Sequence, residues 1–411
     1  MTRLSKRVST LSTLALILSA GLTAVAEEAE TKTELQSAIE ASKAIFAARL
    51  AYETVDQTGF SETADALTYR FRAGFQTGEA YDTSFLIEFD HVEDIIDDFN
   101  STINGKTGFP VVADPNVTEL NRLQLTNKSI PKTTTTLGRQ RIILDDSRFV
   151  GNVGWRQNEQ TFDAVRFQNT AIGDLNVDVT YLNQINRIFG DDSAVGVWEG
   201  DTYLINASHP TPIGKLTGFA YLIDVENAGG VFSSDTFGGR LAGAKEIGPG
   251  KLAYALSYAT QSDGGSSTLD YSADYYLAEG TYSANGFSAG VGIEVLGGDD
   301  QRGFQTPLAT LHKFQGWADK FLATPAAGVE DIYAKAGYAP GNVGPFKGLK
   351  FQAVYHDFSA DVGGADYGSE LDLLVGAKWK KLGLTLKYAD YQSDGFATDT
   401  QKLWLRVDYA F

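Results

Sequence analysis

The last ten residues of the chain, Lys402-Leu403-Trp404-Leu405-Arg406-Val407-Asp408-Tyr409-Ala410-Phe411, alternate with a period of two. The odd positions carry Leu, Leu, Val, Tyr and Phe, whereas the even positions carry Lys, Trp, Arg, Asp and Ala. Because successive side chains of a β-strand point to opposite faces, this pattern predicts a strand with one apolar face and one mostly polar face.

The same alternation recurs along the chain, most clearly in residues 67–76, 287–295, 349–357 and 371–380. It predicts about eighteen strands, with sixteen or twenty as the alternatives if one hairpin is misread. The predicted strands are 44–54, 65–77, 81–92, 118–127, 133–142, 160–170, 174–187, 200–209, 214–226, 236–246, 250–260, 270–281, 286–296, 329–338, 348–358, 368–379, 382–392 and 401–411.

The connections between these strands alternate in length. Those after even-numbered strands are mostly short, and those after odd-numbered strands include the long segments 93–117, 143–159, 188–199, 261–269 and 297–328. Outer-membrane barrels have short periplasmic turns and longer extracellular loops, which is the same alternation. With a periplasmic N-terminus, an even number of strands also returns the C-terminus to the periplasm.

These patterns predict an all-β chain that forms a single antiparallel transmembrane β-barrel. In hydrocarbon every backbone N–H and C=O must be paired, and strands achieve this only in a closed barrel. The terminal aromatic residue, Phe411, resembles the last residue of bacterial outer-membrane barrels, where it is part of the assembly signal. Tyr81, Tyr258, Trp379 and Tyr391 are predicted to form aromatic girdles at the membrane interfaces. A soluble β-sandwich is the alternative.

Composition excludes several classes of function. The 411 residues contain no cysteine, so disulfide scaffolds, cysteine nucleophiles and thiolate metal sites are absent. The formal net charge of −18 argues against a nucleic-acid partner, which normally meets a basic face. Only four histidines are present, at positions 91, 209, 312 and 356, and no two are close in sequence. We therefore predict no metal site and no cofactor.

The N-terminus has the features of a secretory signal peptide. Arg3, Lys6 and Arg7 precede an apolar run that ends in Ala24-Val25-Ala26, which predicts cleavage after residue 26. A membrane-anchoring helix is the alternative. Residues 27–43 are predicted to form a short periplasmic leader, and residues 44–411 the barrel in the outer membrane.

Basic side chains recur on the polar faces of the predicted strands. By their position in the alternation, eleven are predicted to line the lumen as substrate-binding residues: Arg70, Arg72, Arg139, Arg141, Arg166, Arg240, Lys335, Lys350, Lys378, Lys387 and Arg406. Such a lumen favours an anionic solute, especially a carboxylated sugar. The alternative is that these residues form ordinary lumen salt bridges with carboxylates. The candidates for that pairing are Glu88, Asp90, Asp178, Glu294, Asp372 and Asp408.

The long segment 297–328 contains a second pattern. Leu308, Leu311, Phe314, Trp317 and Phe321 recur at spacings of three and four residues, which predicts an amphipathic helix of about three turns. This helix is expected either to fold into the pore mouth as a constriction or plug, or to cap the rim of the barrel.

The residues predict a channel and no enzyme. A catalytic site in the barrel wall would need Ser or Asp close to His, and the four scattered histidines do not suggest one. A general or plugged structural barrel is the alternative. The expected partners are outer-membrane lipid and lipopolysaccharide, the barrel assembly machinery acting through Phe411, and an anionic sugar or small anion.

Three segments carry a more specific resemblance. Residues 137–149 (LGRQRIILDDSRF), the following GNVGWRQNEQTFDAVRF (151–167), and TPLATLHKFQGWADKF (306–321) resemble the alginate-export family of outer-membrane porins. The resemblance implies a monomeric barrel of eighteen strands whose arginine-lined lumen conducts an anionic polysaccharide, with Arg139 and Arg141 lining the pore. The alginate exporter has a long occluding periplasmic loop, whereas the turn at 380–383 is short here, so an open anion-permeable porin fits equally well.

Overall fold

A computed structural model describes residues 32–410 of the chain. Within this range the chain forms one short α-helix, α1 (Glu34–Glu40), two 3₁₀ turns (Glu226–Ala228 and Leu311–Lys313) and eighteen β-strands. The strands are β1 (Lys43–Gln57), β2 (Ala64–Gln76), β3 (Thr83–Asp98), β4 (Val117–Asn127), β5 (Thr133–Gln140), β6 (Thr161–Ile172), β7 (Leu175–Asn186), β8 (Val197–Thr211), β9 (Gly214–Ile223), β10 (Ser234–Ile247), β11 (Gly250–Ser262), β12 (Ser272–Ala284), β13 (Phe287–Leu296), β14 (Val329–Val343), β15 (Phe346–Ser359), β16 (Asp366–Trp379), β17 (Leu382–Ser393) and β18 (Thr400–Ala410).

The strands form one closed antiparallel barrel. Each strand pairs with its neighbours in sequence, and β1 closes the sheet by pairing with both β2 and β18. At this seam Leu50 lies opposite Val407 on one side and Tyr69 on the other. Closure leaves no strand edge unpaired. The predicted barrel of eighteen strands is confirmed, and each predicted strand overlaps one observed strand.

The two ends of the barrel differ as the alternation of connection lengths predicts. Connections after even-numbered strands contain two to six residues, and we call this end the turn end. Connections after odd-numbered strands include segments of twenty residues (141–160) and thirty-two residues (297–328), and we call this end the loop end. The helix α1 lies at the turn end, where the carbonyl of Ala38 accepts a hydrogen bond from the amide of Gly78 at 2.9 Å.

The outer surface of the barrel is apolar. Large side chains such as Leu50, Phe71, Leu137 and Ile205 are exposed there because they occupy the outward positions of their strands. Of the four residues predicted to form aromatic girdles, Tyr81, Tyr258 and Trp379 are exposed.

The girdle prediction is wrong for Tyr391. Its side chain is fully buried, and its hydroxyl donates hydrogen bonds to the carbonyls of Tyr367 and Phe396 inside the barrel. The reason is the register of β17, in which the odd positions, including Lys387 and Ala389, face inward.

The interior at the loop end contains an apolar core. Phe149, from segment 141–160, packs against the inward rings of Phe219 and Tyr275 with centroid distances of 4.8 and 5.2 Å. Phe321, from segment 297–328, lies 4.6 Å from the ring of Phe358. Both long segments are therefore held inside the barrel by apolar packing against its wall.

The predicted three-turn helix in segment 297–328 is wrong, because the segment contains only the 3₁₀ turn Leu311–Lys313. Gln315, Gly316 and Asp319 have φ values of 47°, 77° and 64°, which interrupt a right-handed helix. Within residues 32–410 no helix has the length and hydropathy needed to cross a bilayer. The predicted signal peptide (1–26) and Phe411 lie outside the described residues.

Candidate pore constriction

Two long segments from the loop end fold into the barrel. We call residues 141–160 loop A and residues 297–328 loop B. Loop A reaches the inward side chains of β1 and β2, and loop B reaches those of β13, β16 and β18. Together they occupy part of the barrel interior. The prediction that segment 297–328 enters the pore as a constriction or plug describes its position better than a cap on the rim.

The two loops are bonded to each other along their backbones. The amide of Gly151 donates to the carbonyl of Leu308 at 2.8 Å, and the amide of Thr310 donates to the carbonyl of Ser147 at 3.0 Å. A side chain at position 151 would collide with the Thr310 hydroxyl, so this close approach requires glycine. The contacts fix the position of each loop relative to the other.

Inward arginines of the wall hold loop A through its backbone. The Nη1 group of Arg49 lies within hydrogen-bond distance of three consecutive carbonyls, of residues 154–156, with the shortest distance of 2.8 Å to Arg156. Arg70 donates through Nη1 to the carbonyl of Gln157 at 2.9 Å. Both arginines are buried. They therefore serve to position loop A, and a solute has little access to them.

A second group of arginines surrounds three carboxylates in mid-barrel. Arg72 forms two hydrogen bonds with Asp90, of 2.7 and 2.6 Å, and Arg122 forms two with Glu88, of 2.9 and 2.7 Å. Arg141 forms two with Glu159 of loop A, to which Arg72 also lies within 3.0 Å. We call Arg72, Arg122, Arg141 and their three carboxylates the central arginine cluster.

The cluster buries its acids and exposes part of its bases. The side chains of Glu88, Asp90 and Glu159 are 1%, 1% and 2% exposed, whereas those of Arg122 and Arg141 are 17% and 28% exposed. Burial alone would raise the pKa of Glu159, but hydrogen bonds from Arg141 and the charge of Arg72 hold it well below its usual range. The surface that the cluster presents to the passage is therefore cationic.

Arg148 of loop A joins both loops to the wall. Its guanidinium is 1% exposed and donates to Glu294 of β13 at 2.7 Å. It also donates to Thr306 and Gln315 of loop B, at 3.0 and 3.1 Å. Burial disfavours the charged form of Arg148, but the charge of Glu294 raises its pKa overall. The pair thus holds two loops and one strand together.

Asp319 of loop B also connects the two loops to the barrel wall. It accepts a hydrogen bond from His312 Nδ1 at 2.8 Å and one from Lys402 of β18 at 2.9 Å, and Arg156 of loop A lies 3.6 Å away. Lys387 donates to the other ring nitrogen of His312 at 2.6 Å, so the ring is neutral with its proton on Nδ1. Burial lowers the pKa of His312 to about 3.

The eleven residues predicted to line the lumen fall into three groups. Nine occupy inward positions of their strands: Arg70, Arg72, Arg166, Arg240, Lys335, Lys350, Lys378, Lys387 and Arg406. Arg141 follows the end of β5 and turns inward to Glu159. Arg139 lies on the other face of the wall.

The prediction for Arg139 is wrong because the inward positions of β5 are even-numbered. Arg139 lies opposite Leu123 of β4, which is exposed on the outer surface, and its guanidinium pairs with Asp163 of β6 at 2.8 Å. Asp163 lies between Phe162 and Ala164, which both point inward and are buried. Arg139 and Arg141 of the same motif therefore lie on opposite sides of the barrel wall.

The predicted alternative of lumen salt bridges is confirmed for most of the carboxylates proposed. Glu88, Asp90, Asp178, Glu294 and Asp408 each pair with at least one arginine. Asp372 instead accepts from the amide of Trp317 in loop B at 3.2 Å.

Sequence reasoning missed five cations that organise the interior: Arg49, Arg122, Arg148, Arg156 and Lys402. Lys402 shares the even positions of β18 with Arg406, so the alternation could have identified it. Arg122 follows a register shift that places both it and Asn121 inward, and Arg148 and Arg156 lie in a loop. A period of two therefore could not predict that Arg122, Arg148 and Arg156 lie in the interior.

No family model and no curated protein matches the chain. Solved structures do match. OpdO of Pseudomonas aeruginosa superposes with a TM-score of 0.72 at 16% identity, covering 92% of this chain and 99% of OpdO. The chain has the fold of an outer-membrane porin.

Two further structures agree. OpdK of Pseudomonas aeruginosa, solved with vanillate, gives a TM-score of 0.71 at 14% identity over 91% of this chain and 99% of OpdK. OccAB2 of Acinetobacter baumannii gives 0.69 at 16% identity over 91% of this chain and 99% of OccAB2. The Pseudomonas proteins are OprD/Occ substrate-specific porins, so the finer resemblance to the alginate-export family is not supported. At these identities the likeness establishes the fold alone.

Proposed function

We propose that the protein is a porin of a bacterial outer membrane that conducts small anionic solutes. Its fold is that of porins, and its apolar outer surface suits contact with lipid. In the outer membrane, the turn end with its short connections faces the periplasm, and the loop end faces the outside of the cell. OpdK, which shares the fold, was solved with vanillate, a small aromatic carboxylate.

The observation that carries this proposal is the exposure of the central arginine cluster. A chain with a net charge of −18 presents guanidinium edges to its passage and buries the carboxylates that accompany them. An exposed arginine can form two parallel hydrogen bonds with a solute carboxylate. Because each arginine already has a buried partner, contacts with a solute should be weak, which permits passage.

Loops A and B support a small solute over a polysaccharide. They are hydrogen-bonded to each other and to β1, β2 and β13, and they pack into an apolar core, so they form a fixed constriction. The passage remains lined by partly exposed cations, among them Arg141 and Lys335, with side chains 28% and 25% exposed.

The direct test is planar-bilayer recording of the refolded protein in a KCl gradient, with vanillate and an oligouronate as competing solutes. We expect an ohmic conductance whose reversal potential reports preference for chloride, reduced by vanillate more than by the oligouronate. Cation preference would overturn the proposal. Absence of any conductance would identify a plugged structural barrel instead, and stronger reduction by the oligouronate would restore an acidic-polysaccharide channel.

A further inference from the structure

Three lysines face inward together at the turn end, where the barrel opens. Phe346 of β15 lies opposite Trp379 of β16, and both side chains are exposed on the outer surface. The next pair along the strands, Lys347 and Lys378, therefore points into the lumen. Lys350 follows on the same inward face of β15, opposite Gly376. We call these three residues the mouth lysine cluster.

The local backbone places the three lysines on the inward face of two neighbouring strands. The pairing of β15 and β16 shifts register between Lys347 and Lys350, with Gly348 at φ 59°, so both lysines face the same way although three positions apart. Lys350 lies across Gly376, where a Cβ atom would approach its Cε to 2.8 Å. The Lys350 side chain therefore crosses towards β16, the strand that carries Lys378 two positions beyond Gly376 on the same face.

Two inward carboxylates of nearby strands, Glu279 and Asp408, are already engaged by other cations within the described residues. Glu279, on the inward face of β12, pairs with Lys335 at 2.8 Å. Asp408, on the inward face of β18, pairs with both Arg49 and Arg406, at 2.8 and 2.7 Å. In the part of the chain that the structure describes, none of the three lysines makes an ion pair, although all three are exposed.

Directly opposed like charges cost stability in an antiparallel pair, and Lys347 and Lys378 are directly opposed. An anion placed between them would relieve that repulsion. An ammonium group offers three donors and no acceptor, so three of them match an anion with several oxygens and more than one charge. A monovalent anion would satisfy only part of the cluster.

We propose that the mouth lysine cluster is a binding site for multivalent oxyanions, and that it distinguishes them from the monovalent anions that also pass. This inference adds a binding site to the proposed anion channel. The role of that site in transport rests on the proposed function. Binding itself can be measured without transport. Phosphate-type and polycarboxylate ligands share the required chemistry, and the experiment separates them.

The test is calorimetric titration of the folded barrel, in zwitterionic detergent at low ionic strength, with pyrophosphate, citrate and benzoate. We expect pyrophosphate or citrate to bind the wild type measurably and benzoate to bind at least about tenfold more weakly. The triple variant K347Q/K350Q/K378Q should bind the multivalent anion at least about tenfold more weakly than the wild type. Whichever of pyrophosphate and citrate binds more tightly identifies the ligand class.

A matched control variant removes three other lysine charges from the turn end of the barrel. Lys132, Lys245 and Lys380 lie at or beside turns of the turn end, and Lys245 occupies an outward position of β10. The variant K132Q/K245Q/K380Q should change affinity by less than about twofold. Equal losses in both variants, no loss in either, or no binding to the wild type would each overturn the proposed site. A barrel that binds pyrophosphate but does not conduct would instead overturn the channel proposal alone.

Discussion

The middle of the barrel and its turn end use positive charge differently. In the middle, Arg49, Arg72 and Arg148 are buried and engaged by carboxylates or by loop backbone. At the turn end, the mouth lysine cluster is exposed and makes no ion pair within the described residues. The first arrangement fixes structure, whereas the second leaves charge available to a solute. Substitutions in the two regions should therefore change different measurable properties.

The largest effect is expected from breaking the Arg148–Glu294 pair. R148M would leave Glu294 buried without its ionic partner, a change that typically costs about 3–5 kcal/mol. Loops A and B should then detach locally, and chymotrypsin should cleave them much faster in the folded barrel. The double variant R148M/E294Q should recover most of the resistance, because it removes the unpaired charge. If R148M alone resists chymotrypsin like the wild type, Arg148 does not hold the loops.

The next effect concerns pH and His312. The folded-state pKa of His312 is lowered to about 3 from its ordinary value of 6.5, so the undocked loop binds the proton more readily. Stability of the docked loop is therefore complete above pH 6.5 and falls as the pH drops towards 3, by at most about 1.4 kcal/mol per pH unit. Fluorescence of Trp155, which stacks on His312 at 5.0 Å, should report this change. The variant H312Q should show a flatter profile between pH 6.5 and 5, and identical profiles would contradict the assignment.

A smaller effect, on ion selectivity, is expected to distinguish Arg141 from Arg139, two arginines of the same sequence motif. Arg141 faces the passage, whereas Arg139 pairs with Asp163 on the outer face. R141Q should reduce the anion-to-cation permeability ratio by about two- to fivefold, since it removes a partly exposed charge from the narrow region. R139Q removes the same charge and should leave the ratio unchanged. The measurement is the reversal potential in a KCl gradient, and equal shifts would contradict the difference in orientation.

The smallest effect on stability is expected at the mouth lysine cluster. K350Q should change the free energy of unfolding by no more than about 0.5 kcal/mol, because the side chain is exposed and makes no ion pair within the described residues. Urea unfolding followed by tryptophan fluorescence measures this. A loss comparable to that of R148M would show that the cluster has a structural role and would remove the contrast between the two regions.

The sequence predicts the barrel wall well for a physical reason. A strand between an apolar exterior and a polar interior alternates wherever its register is regular, so Lys402 to Ala410 already contain the pattern that recurs along the chain. The interior is less predictable, because loops A and B follow no period. Gln315, Gly316 and Asp319 have positive φ values, which break the helix that side-chain spacing predicts. Gln315 and Asp319 bond to the distant strands β13 and β18, contacts that the local spacing does not contain.

Errors at the candidate site have a similar origin. Assignment by alternation is wrong for Arg139, which shares the odd positions of β5 with the outward Leu137, and right for Arg141, which turns inward beyond the end of that strand. It misses Arg122, which follows the register shift in β4. A shift of one residue exchanges the two faces of a strand. Ion pairing of the wall cations also depends on loop side chains such as Glu159. The alternation in the strands does not predict where those side chains lie.

The most direct test of a fixed constriction is whether the barrel conducts while loops A and B are held together. The chain contains no cysteine, so S147C/T310C introduces a unique pair where the Thr310 amide donates to the Ser147 carbonyl at 3.0 Å. Single-channel current of this variant would be recorded before and after oxidation, with the disulfide confirmed by mass spectrometry. We expect equal anion-selective conductance in both states, because the docked loops form a fixed constriction. Loss of current on oxidation, restored by reduction, would contradict it and show that conduction requires the loops to separate.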